Sequence, residues 1–253
     1  MDHKYLSLIE QYWNDHALEY CQFHPEHHDL QMHPSWGLSH IPESELCLLP
    51  SKISDGELLV DLGCGQGHDS VGFADLGYRV LGVDLSRSQI SRAIPHRQVS
   101  YLVGSAECLP LPSASVSVVV SDHGAFDHSP SGPLLRETHR ILVAGGTLIV
   151  CGYSPLALAC FNHKSDKITS RLINRYPCGA TLSDNLIVAT QHSHSSWMAQ
   201  FKAAGFNIDR LEEPLLPPGK RTYFDELVDE EWARSWPVDL IWVVRKGLKY
   251  GDE

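Results

Sequence analysis

The pattern of apolar and polar positions predicts short strands that alternate with helices along most of this chain. Apolar-rich runs of three to six residues are bounded by glycine, proline or polar residues and are too short for helices. Continuous apolar runs are typical of strands that are buried on both faces, as in a parallel sheet. The runs that predict strands are Leu58–Val60, Tyr78–Val83, Val99–Val103 and Val116–Val120.

Helices are predicted before and between these strands. Tyr5–Tyr20 has apolar residues at helical spacing, and a short helix near Pro42 is expected to include Glu45–Leu49. After residues 61–67 a helix should reach Leu76, with Gly77 as its C-terminal cap. Further helices are predicted from Ser86 to before Pro95, over Leu134–Leu142, over Ser196–Ala204 and over the acidic segment Phe224–Trp232.

Between the first strand and its helix, an acid precedes three glycines at alternate positions. Asp61 stands two residues before Gly63, and Gly65 and Gly67 follow. The dinucleotide fingerprint is G-x-G-x-x-G, whose bare N–H groups bind a pyrophosphate that an acid would repel. A ligand with an ammonium group and no phosphate, such as S-adenosylmethionine, would instead be attracted by Asp61.

At these residues the chain resembles the class I S-adenosylmethionine-dependent methyltransferases, and in particular the subgroup of the ubiquinone and menaquinone C-methyltransferases. The segments "GSAECLPLPSASVSVVV" and "RETHRILVAGGTLIV" are similar to two further motifs of that subgroup. Val116-Ser117 departs from its usual Phe-Asp pair, at a position that is mainly structural. The resemblance implies an α/β fold, a Rossmann-like doubly wound sheet of seven strands in which the last pair is antiparallel.

The resemblance also implies a division of one methyltransferase domain, residues 1–253. Residues 1–50 would form an N-terminal helical cap, and residues 55–153 the cofactor-binding core. Residues 154–196 would be an insertion on the substrate side, and residues 197–253 the last helix and strands.

Several residues are expected to bind the cofactor, S-adenosyl-L-methionine, and its product S-adenosyl-L-homocysteine. Asp84 ends the second strand 19 residues after Gly65, where an acid binds ribose hydroxyls. Leu85 would pack on the adenine, and the resemblance places Ala106-Glu107 beside that ring. The full set is Asp61, Gly63, Cys64, Gly65, Gly67, Asp84, Leu85, Ser105, Ala106, Glu107 and Ser121.

The loop after the fourth strand holds the acid–base candidates Asp122, His123 and His128. In a doubly wound sheet this loop faces the ligand, and a hydroxyl nucleophile needs a base with a pKa near the working pH. Asp122 could instead contact the amino-acid end of the cofactor, and His128 could make a structural hydrogen bond. Candidates for a substrate pocket are Trp13, Trp36, His40, Tyr153 and Trp197, although aromatic residues of this kind are as often core.

No metal is expected to take part in the reaction. His24, His27, His28 and His33 cluster in sequence, but no cysteine stands at a ligand spacing beside them. The fifth strand ends in Cys151-Gly152-Tyr153 without an acid. The seven cysteines contain no C-x-x-C pair and do not suggest a disulfide framework.

The net charge and the hydropathy of the chain limit the classes of partner that it is expected to bind. The formal net charge of −11 disfavours a nucleic-acid substrate, and no apolar run approaches the roughly 20 residues that span a bilayer. The polar N-terminus does not resemble a signal peptide. We therefore expect a cytoplasmic monomer or homodimer that binds no membrane.

The sequence predicts methyl transfer to an oxygen, nitrogen or carbon of a small organic molecule, such as a secondary metabolite. Two alternatives stay open. The chain could bind the cofactor and catalyse a cyclisation or rearrangement, or it could be a non-catalytic, cofactor-binding partner subunit.

Overall fold

A computed structural model describes most of the 253 residues. The described residues are 4–18, 34–50, 57–176, 181–184, 187–190, 192–222 and 226–247. Within them, no helix is long and apolar enough to cross a membrane.

One sheet of seven strands organises the fold. Its strands are β3 (Leu58–Leu62), β4 (Arg79–Asp84), β5 (Val99–Val103), β6 (Val116–Asp122), β7 (Leu142–Tyr153), β12 (Phe206–Glu212) and β13 (Asp239–Lys246). They lie in the order β12-β13-β7-β6-β3-β4-β5. The pairs among β3 to β7 are parallel, and β13 is antiparallel to both of its neighbours. The predicted doubly wound sheet with an antiparallel last pair is therefore confirmed.

Helices cover both faces of this sheet. They are α1 (Lys4–Asp15), α2 (Glu43–Leu46), α3 (His68–Asp75), α4 (Arg87–Ile90), α5 (Ala125–His128), α6 (Ser131–Ile141), α7 (Pro155–Cys160), α8 (His194–Ala203) and α9 (Glu230–Ser235). One core cluster packs residues such as Val60, Leu134 and Phe201 on one face. A second packs Leu59, Phe73 and Trp36 on the other face, since successive side chains of a strand point to opposite faces.

Three two-stranded hairpins lie outside the sheet. They pair β1 (Ser35–Trp36) with β2 (Ile41–Pro42), β8 (Phe161–Asn162) with β9 (Lys167–Ile168), and β10 (Thr181–Asp184) with β11 (Ile187–Thr190). The first belongs to the predicted cap, and the other two belong to the predicted insertion. Strand β11 contacts α1 and α5, so the insertion reaches the carboxyl ends of the parallel strands.

Two local predictions are corrected. The motif similarity around Gly145-Gly146 implies a turn there before the fifth strand, but β7 runs through both residues. The register between β6 and β7 shifts there, from Val116 opposite Leu142 to Val118 opposite Thr147, and Gly145 has φ +74°. Glycine permits this bulge because it has no Cβ. The acidic helix near residue 224 begins only at Glu230, since the carboxylate of Asp229 caps it by accepting hydrogen bonds from two backbone N–H groups.

Candidate functional site

A cleft opens at the carboxyl ends of the parallel strands. It encloses about 640 Å³, including space that is open to solvent, within the range of small-molecule sites. The predicted site residues that line it are Gly63, Gly65, Asp84, Leu85, Ser105, Ala106, Trp13, His123 and His128. Residues from five separate parts of the sequence therefore meet at one site.

The glycine loop after β3 makes room for close packing. Gly63 has φ +81°, and a Cβ on it would lie 2.5 Å from the backbone nitrogen of Ala125. A Cβ on Gly124 would collide with the carbonyl oxygen of Leu62. The loops after β3 and β6 therefore touch through backbone atoms, and neither glycine can gain a side chain without a shift of the chain.

Four N–H groups of this loop are bonded within the protein. Gly63 and Cys64 donate to the carbonyl oxygen of Val83, at 2.8 and 3.2 Å. Gly65 donates to Oδ2 of Asp84 at 2.9 Å, and Gly67 donates to the carbonyl oxygen of Cys64 at 2.8 Å. The loop thus offers a ligand space rather than free donors, which is poorly suited to a phosphate group.

Asp84 is fixed at the end of β4 by two backbone donors. Besides the bond from Gly65, the Ser86 N–H donates to Oδ1 at 2.7 Å. Burial raises the pKa of Asp84, and the two backbone hydrogen bonds oppose that shift. Each carboxylate oxygen has more than one lone pair, so both oxygens of Asp84 can still accept a hydrogen bond from a hydroxyl group of a bound diol.

Asp61 lies behind the glycine loop rather than in the cleft lining. It is 5% exposed, and its Oδ2 accepts a 2.6 Å hydrogen bond from Oγ of Ser70 on α3. Burial raises its pKa to about 7, because the charged form loses its hydration. Its predicted contact with an ammonium group stays a prediction.

An ion pair on α6 holds the loop that carries Ser105 and Ala106. Glu137 accepts the backbone N–H of Leu109 at 2.6 Å and pairs with Arg140. Arg140 donates to the carbonyl oxygens of Leu109 and Leu111, at 3.1 and 2.7 Å. Hydrogen bonds to Arg140 lower the pKa of Glu137. The similarity at "RETHRIL" thus has a structural meaning, since this pair fixes the cleft wall.

Helix α1 closes one side of the cleft, as expected of a cap. Oδ1 of Asn14 accepts hydrogen bonds from Oγ of Ser86 at 2.8 Å and from the N–H of Ser88 at 3.0 Å. The Tyr5 hydroxyl donates to the carboxylate of Glu107. Glu107 therefore binds α1 and does not line the cleft, and its predicted adenine contact stays a prediction.

Three other predicted cofactor residues have structural contacts outside the lining. The thiol of Cys64 lies close to Gly82, and burial raises its pKa well above the usual value. Gly67 has φ +82° and precedes α3, where a Cβ would collide with the hydroxyl of Tyr101. Oγ of Ser121 donates to the carbonyl oxygen of Leu62 at 3.0 Å.

His123 is enclosed by carboxylates. Its Nε2 lies 2.9 Å from Oδ1 of Asp239, and its Nδ1 lies 2.9 Å from Oδ2 of Asp127. The second contact is an ion pair without hydrogen-bond geometry. Burial alone would lower the pKa of His123, but the two carboxylates outweigh it and raise the pKa well above its usual value. His123 therefore has no ring nitrogen free to accept a proton.

Asp122 also belongs to this enclosed group. Burial raises its pKa, and its Oδ2 accepts the N–H of Gly37 at 2.9 Å. The structure thus does not place Asp122 in the cleft lining. His128, by contrast, lines the cleft at the end of α5, and its ring lies edge-on to Trp13 at 5.4 Å between ring centres. Of the three acid–base candidates, the structure thus places His123 and His128 in the cleft lining.

The predicted substrate residues separate into different places. Trp13 lines the cleft, but the prediction for Trp36 is wrong because its side chain is 0% exposed and its Nε1 donates to Glu43. His40 lies beyond the cleft, and burial lowers its pKa to about 4. Tyr153 and Trp197 line a second cavity behind Asp127. Trp197 also stacks on Phe201 in the core.

Sequence patterns missed several residues of the site. Asp239 begins β13, and Gly37 belongs to the β1–β2 turn, where a Cβ would collide with the Asp239 carboxylate. Asn14 and Tyr5 hold α1 in place. No motif marks these residues, and Asp239 lies 116 positions from His123. The predicted histidine cluster, His24 to His33, lies outside the described residues.

Comparisons with known proteins agree with this arrangement. Residues 60–150 match the family model described as a methyltransferase domain. A malonyl-[acyl-carrier protein] O-methyltransferase of Yersinia pestis is 35% identical over 96 residues, covering 37% of this chain and 36% of that protein. A ubiquinone/menaquinone biosynthesis C-methyltransferase of Rubrivivax gelatinosus is 36% identical over 101 residues, covering 39% and 40%. The match thus spans less than half the length of these two relatives.

A solved structure extends the similarity beyond the matched motifs. An S-adenosylmethionine-dependent methyltransferase from Mesorhizobium loti superposes with a TM-score of 0.66 at 25% identity. The alignment covers 83% of this chain and all of that chain. The common architecture therefore extends beyond residues 60–150.

Proposed function

We propose that this chain, whose residues 60–150 match a methyltransferase-domain model, transfers a methyl group from S-adenosylmethionine to a small organic molecule. The donor binds in the cleft between the glycine loop and α1. The acceptor approaches from the side of His128 and α5.

The bonding of the glycine loop is the observation that carries this proposal. Gly63, Cys64, Gly65 and Gly67 all use their N–H groups within the protein, so the loop has no row of donors for a pyrophosphate. It does provide a surface without side chains. S-adenosylmethionine fits this loop because it has no phosphate group and because its amino-acid end must approach the loop backbone closely.

The remaining lining groups match the other parts of the donor. The Asp84 carboxylate accepts hydrogen bonds from the two ribose hydroxyls, while the N–H groups of Gly65 and Ser86 hold the carboxylate in its orientation. Leu85 and Ala106 provide apolar contacts for a flat ring. Asp61 contributes negative charge toward the ammonium end from behind the loop.

The donor supplies an electrophilic methyl group on a sulfonium, so the protein's task is alignment and exclusion of water. Trp13 and Ile9 of α1 lie in the cleft wall, where their apolar surface keeps water from the reacting atoms. The bonds of Asn14 to the β4–α4 loop hold α1 in that position. No metal is required for this step.

His128 is the proposed base for an oxygen or nitrogen acceptor. Its ring lines the cleft at the end of α5, edge-on to Trp13. A histidine accepts a proton near neutral pH. A carbon acceptor that is already acidic would need less help from His128.

A small organic acceptor is proposed on two grounds. The formal net charge of −11 repels nucleic-acid backbones. The loop after β6 reads Ser-Asp-His-Gly rather than the (Asp/Asn)-Pro-Pro-aromatic pattern associated with planar amines.

Calorimetry and a metabolite panel test this function in two steps. We expect S-adenosylmethionine and S-adenosylhomocysteine to bind in the cleft. NAD⁺ should bind more weakly than these two compounds and should not occupy their site. If the folded protein binds neither sulfur compound, the proposal fails. The panel is read out as S-adenosylhomocysteine formed with each acceptor. If a metabolite is converted while S-adenosylmethionine stays intact, the reaction is a cyclisation or rearrangement and not methyl transfer.

A further inference from the structure

Three kinds of metal-binding atom converge at the ends of β6 and β7. A carboxylate oxygen of Asp122, a ring nitrogen of His123 and the sulfur of Cys151 all lie within 4.8 Å of one another. Asp122 and Cys151 are paired residues across the two parallel strands. Cys151 is 1% exposed. The sheet itself therefore brings an oxygen, a nitrogen and a sulfur donor together in a buried place.

The cluster at the ends of β6 and β7 contains more carboxyl groups than basic groups. Asp122, Asp127 and Asp239 surround one imidazole, and the ion pairs that the described part of the chain gives Asp127 and Asp239 involve only His123. Three carboxyl groups thus share one imidazole. Buried charge is costly unless it is paired or coordinates a metal, so a divalent cation would balance the group.

Backbone donors already orient the carboxylates. Gly37 donates to Oδ2 of Asp122 at 2.9 Å. The N–H groups of Leu38 and Ser39 donate to the two oxygens of Asp239, at 3.1 and 3.3 Å. Ligating carboxylates are commonly held by such outer hydrogen bonds, which reduce the cost of ordering them around an ion.

The second nitrogen of His123 also has the partner that a ligating histidine needs. A metal-bound histidine usually directs its other ring nitrogen to a carboxylate or carbonyl. Here Asp127 lies at Nδ1 and Asp239 at Nε2. Whichever nitrogen binds the ion, a carboxylate remains at the other.

We propose that Asp122, His123 and Cys151 bind a divalent transition-metal ion of the zinc type, with Asp239 or a water molecule as the fourth ligand. Zinc accepts nitrogen, sulfur and oxygen in a tetrahedron, whereas magnesium and calcium prefer oxygen alone. Tetrahedral bonds of zinc place donors roughly 3.4–3.7 Å apart, so the side chains move inward by about 1 Å. On binding, the imidazolium and the thiol each release one proton to solvent.

The ion has a structural consequence in this position. It joins β6 to β7, and through Asp122, Asp239 and their backbone donors it ties the β1–β2 hairpin to the sheet. It therefore fixes the wall of the cleft at His123. The inference concerns metal binding and does not rest on the proposed methyl transfer.

Metal analysis of the full chain tests the site. The protein is treated with EDTA, dialysed, reloaded with Zn²⁺ and measured by mass spectrometry of the elements. We expect one equivalent per chain. Reloading with Co²⁺ should add a sulfur-to-cobalt charge-transfer absorption. A folded protein that retains no zinc, or binds cobalt without that absorption, overturns the proposal.

Variants separate this site from other metal-binding residues. Cys151→Ser should lose the cobalt absorption and weaken zinc binding at least tenfold, while Cys160→Ser, a buried control, should change neither. His27→Gln combined with His28→Gln should keep the full equivalent. If the zinc is lost with those histidines and survives Cys151→Ser, the inference is wrong. Should Cys151→Ser fail to fold, the cobalt spectrum of the unmodified protein decides.

Discussion

Two regions meet at the cleft, and they are built differently. The donor region contains the loops after β3, β4 and β5, and the contacts among these loops and the helices that follow them join residues close in sequence, such as Asp61 with Ser70 and Gly65 with Asp84. The acceptor region contains the ends of β6 and β7, the start of β13 and the β1–β2 hairpin. There Leu38 bonds Asp239 across 201 positions.

The difference teaches which part of such a site local chemistry determines. In the donor region a tight turn and a strand end impose glycines and an acid at fixed spacings, so one segment carries its own constraints. In the acceptor region each polar group depends on a distant strand or hairpin. We therefore expect changes in the donor region to reduce donor binding, and changes in the acceptor region to reduce stability with the donor site intact.

Gly63→Ala should have the largest effect. Its φ of +81° and the 2.5 Å approach to the Ala125 nitrogen leave no room for a methyl group. We expect at least a 100-fold loss of S-adenosylmethionine affinity and a loss of roughly 2–4 kcal/mol of unfolding free energy, since strain and overpacking add. Calorimetry and denaturant unfolding measure the two effects.

Gly77→Ala is the matched control for that variant. Gly77 has φ +106°, but nothing lies within 4 Å of a Cβ there. It should lower stability by about 1 kcal/mol through backbone strain and leave donor affinity unchanged. Equal losses of affinity in both variants would mean that the effect of Gly63→Ala is general unfolding.

Asp84→Ala should weaken donor binding by about 1.5–3 kcal/mol, the cost of a lost hydrogen bond to a charged group. The same change leaves the Gly65 and Ser86 N–H groups without their partner. Titration with S-adenosylhomocysteine measures the change. Unchanged affinity would show that Asp84 does not bind the ribose.

Gly37→Ala tests the acceptor region. A Cβ on Gly37, at φ +69°, would collide with the carboxylate of Asp239. We expect a loss of roughly 1–3 kcal/mol of unfolding free energy, while donor affinity stays within twofold. A large loss of donor affinity would break the proposed separation of the two regions.

How much was predictable follows from the same difference. The seven-stranded sheet with its antiparallel last pair followed from the family resemblance. Much of the donor lining was accessible from the sequence, because Gly63, Gly65 and Asp84 answer local demands of a turn and a strand end. Trp36 was misplaced because an aromatic residue in a polar segment resembles a pocket wall until the fold buries it against Phe73. Asp239 was invisible, since its partners are set by the antiparallel pairing of β13 with β7.

Donor affinity should also depend on pH through Asp61. Burial raises its pKa to about 7, and the ammonium of the donor favours the ionised carboxylate. Affinity should therefore rise several-fold between about pH 6 and 7.5, where the amino group of the donor stays mostly protonated. Asp61→Asn should bind more weakly and flatten this profile in calorimetry. A profile unchanged by Asp61→Asn would assign the ammonium contact elsewhere.

The smallest predicted effect concerns the attachment of α1. Asn14→Ala removes the oxygen that accepts hydrogen bonds from the Ser86 hydroxyl and the Ser88 N–H. Each of these hydrogen bonds is worth about 0.5–1.5 kcal/mol. Water can take the place of the Asn14 oxygen when the helix moves away. Donor affinity should fall only three- to tenfold, mainly through faster dissociation, which stopped-flow measurements resolve. Asn174→Ala, whose amide bonds the distant carbonyl oxygens of Leu158 and Phe161, should leave dissociation unchanged. A loss in Asn14→Ala as large as that of Gly63→Ala would make the cap an integral part of the donor region, since its contacts would then matter as much as the glycine loop.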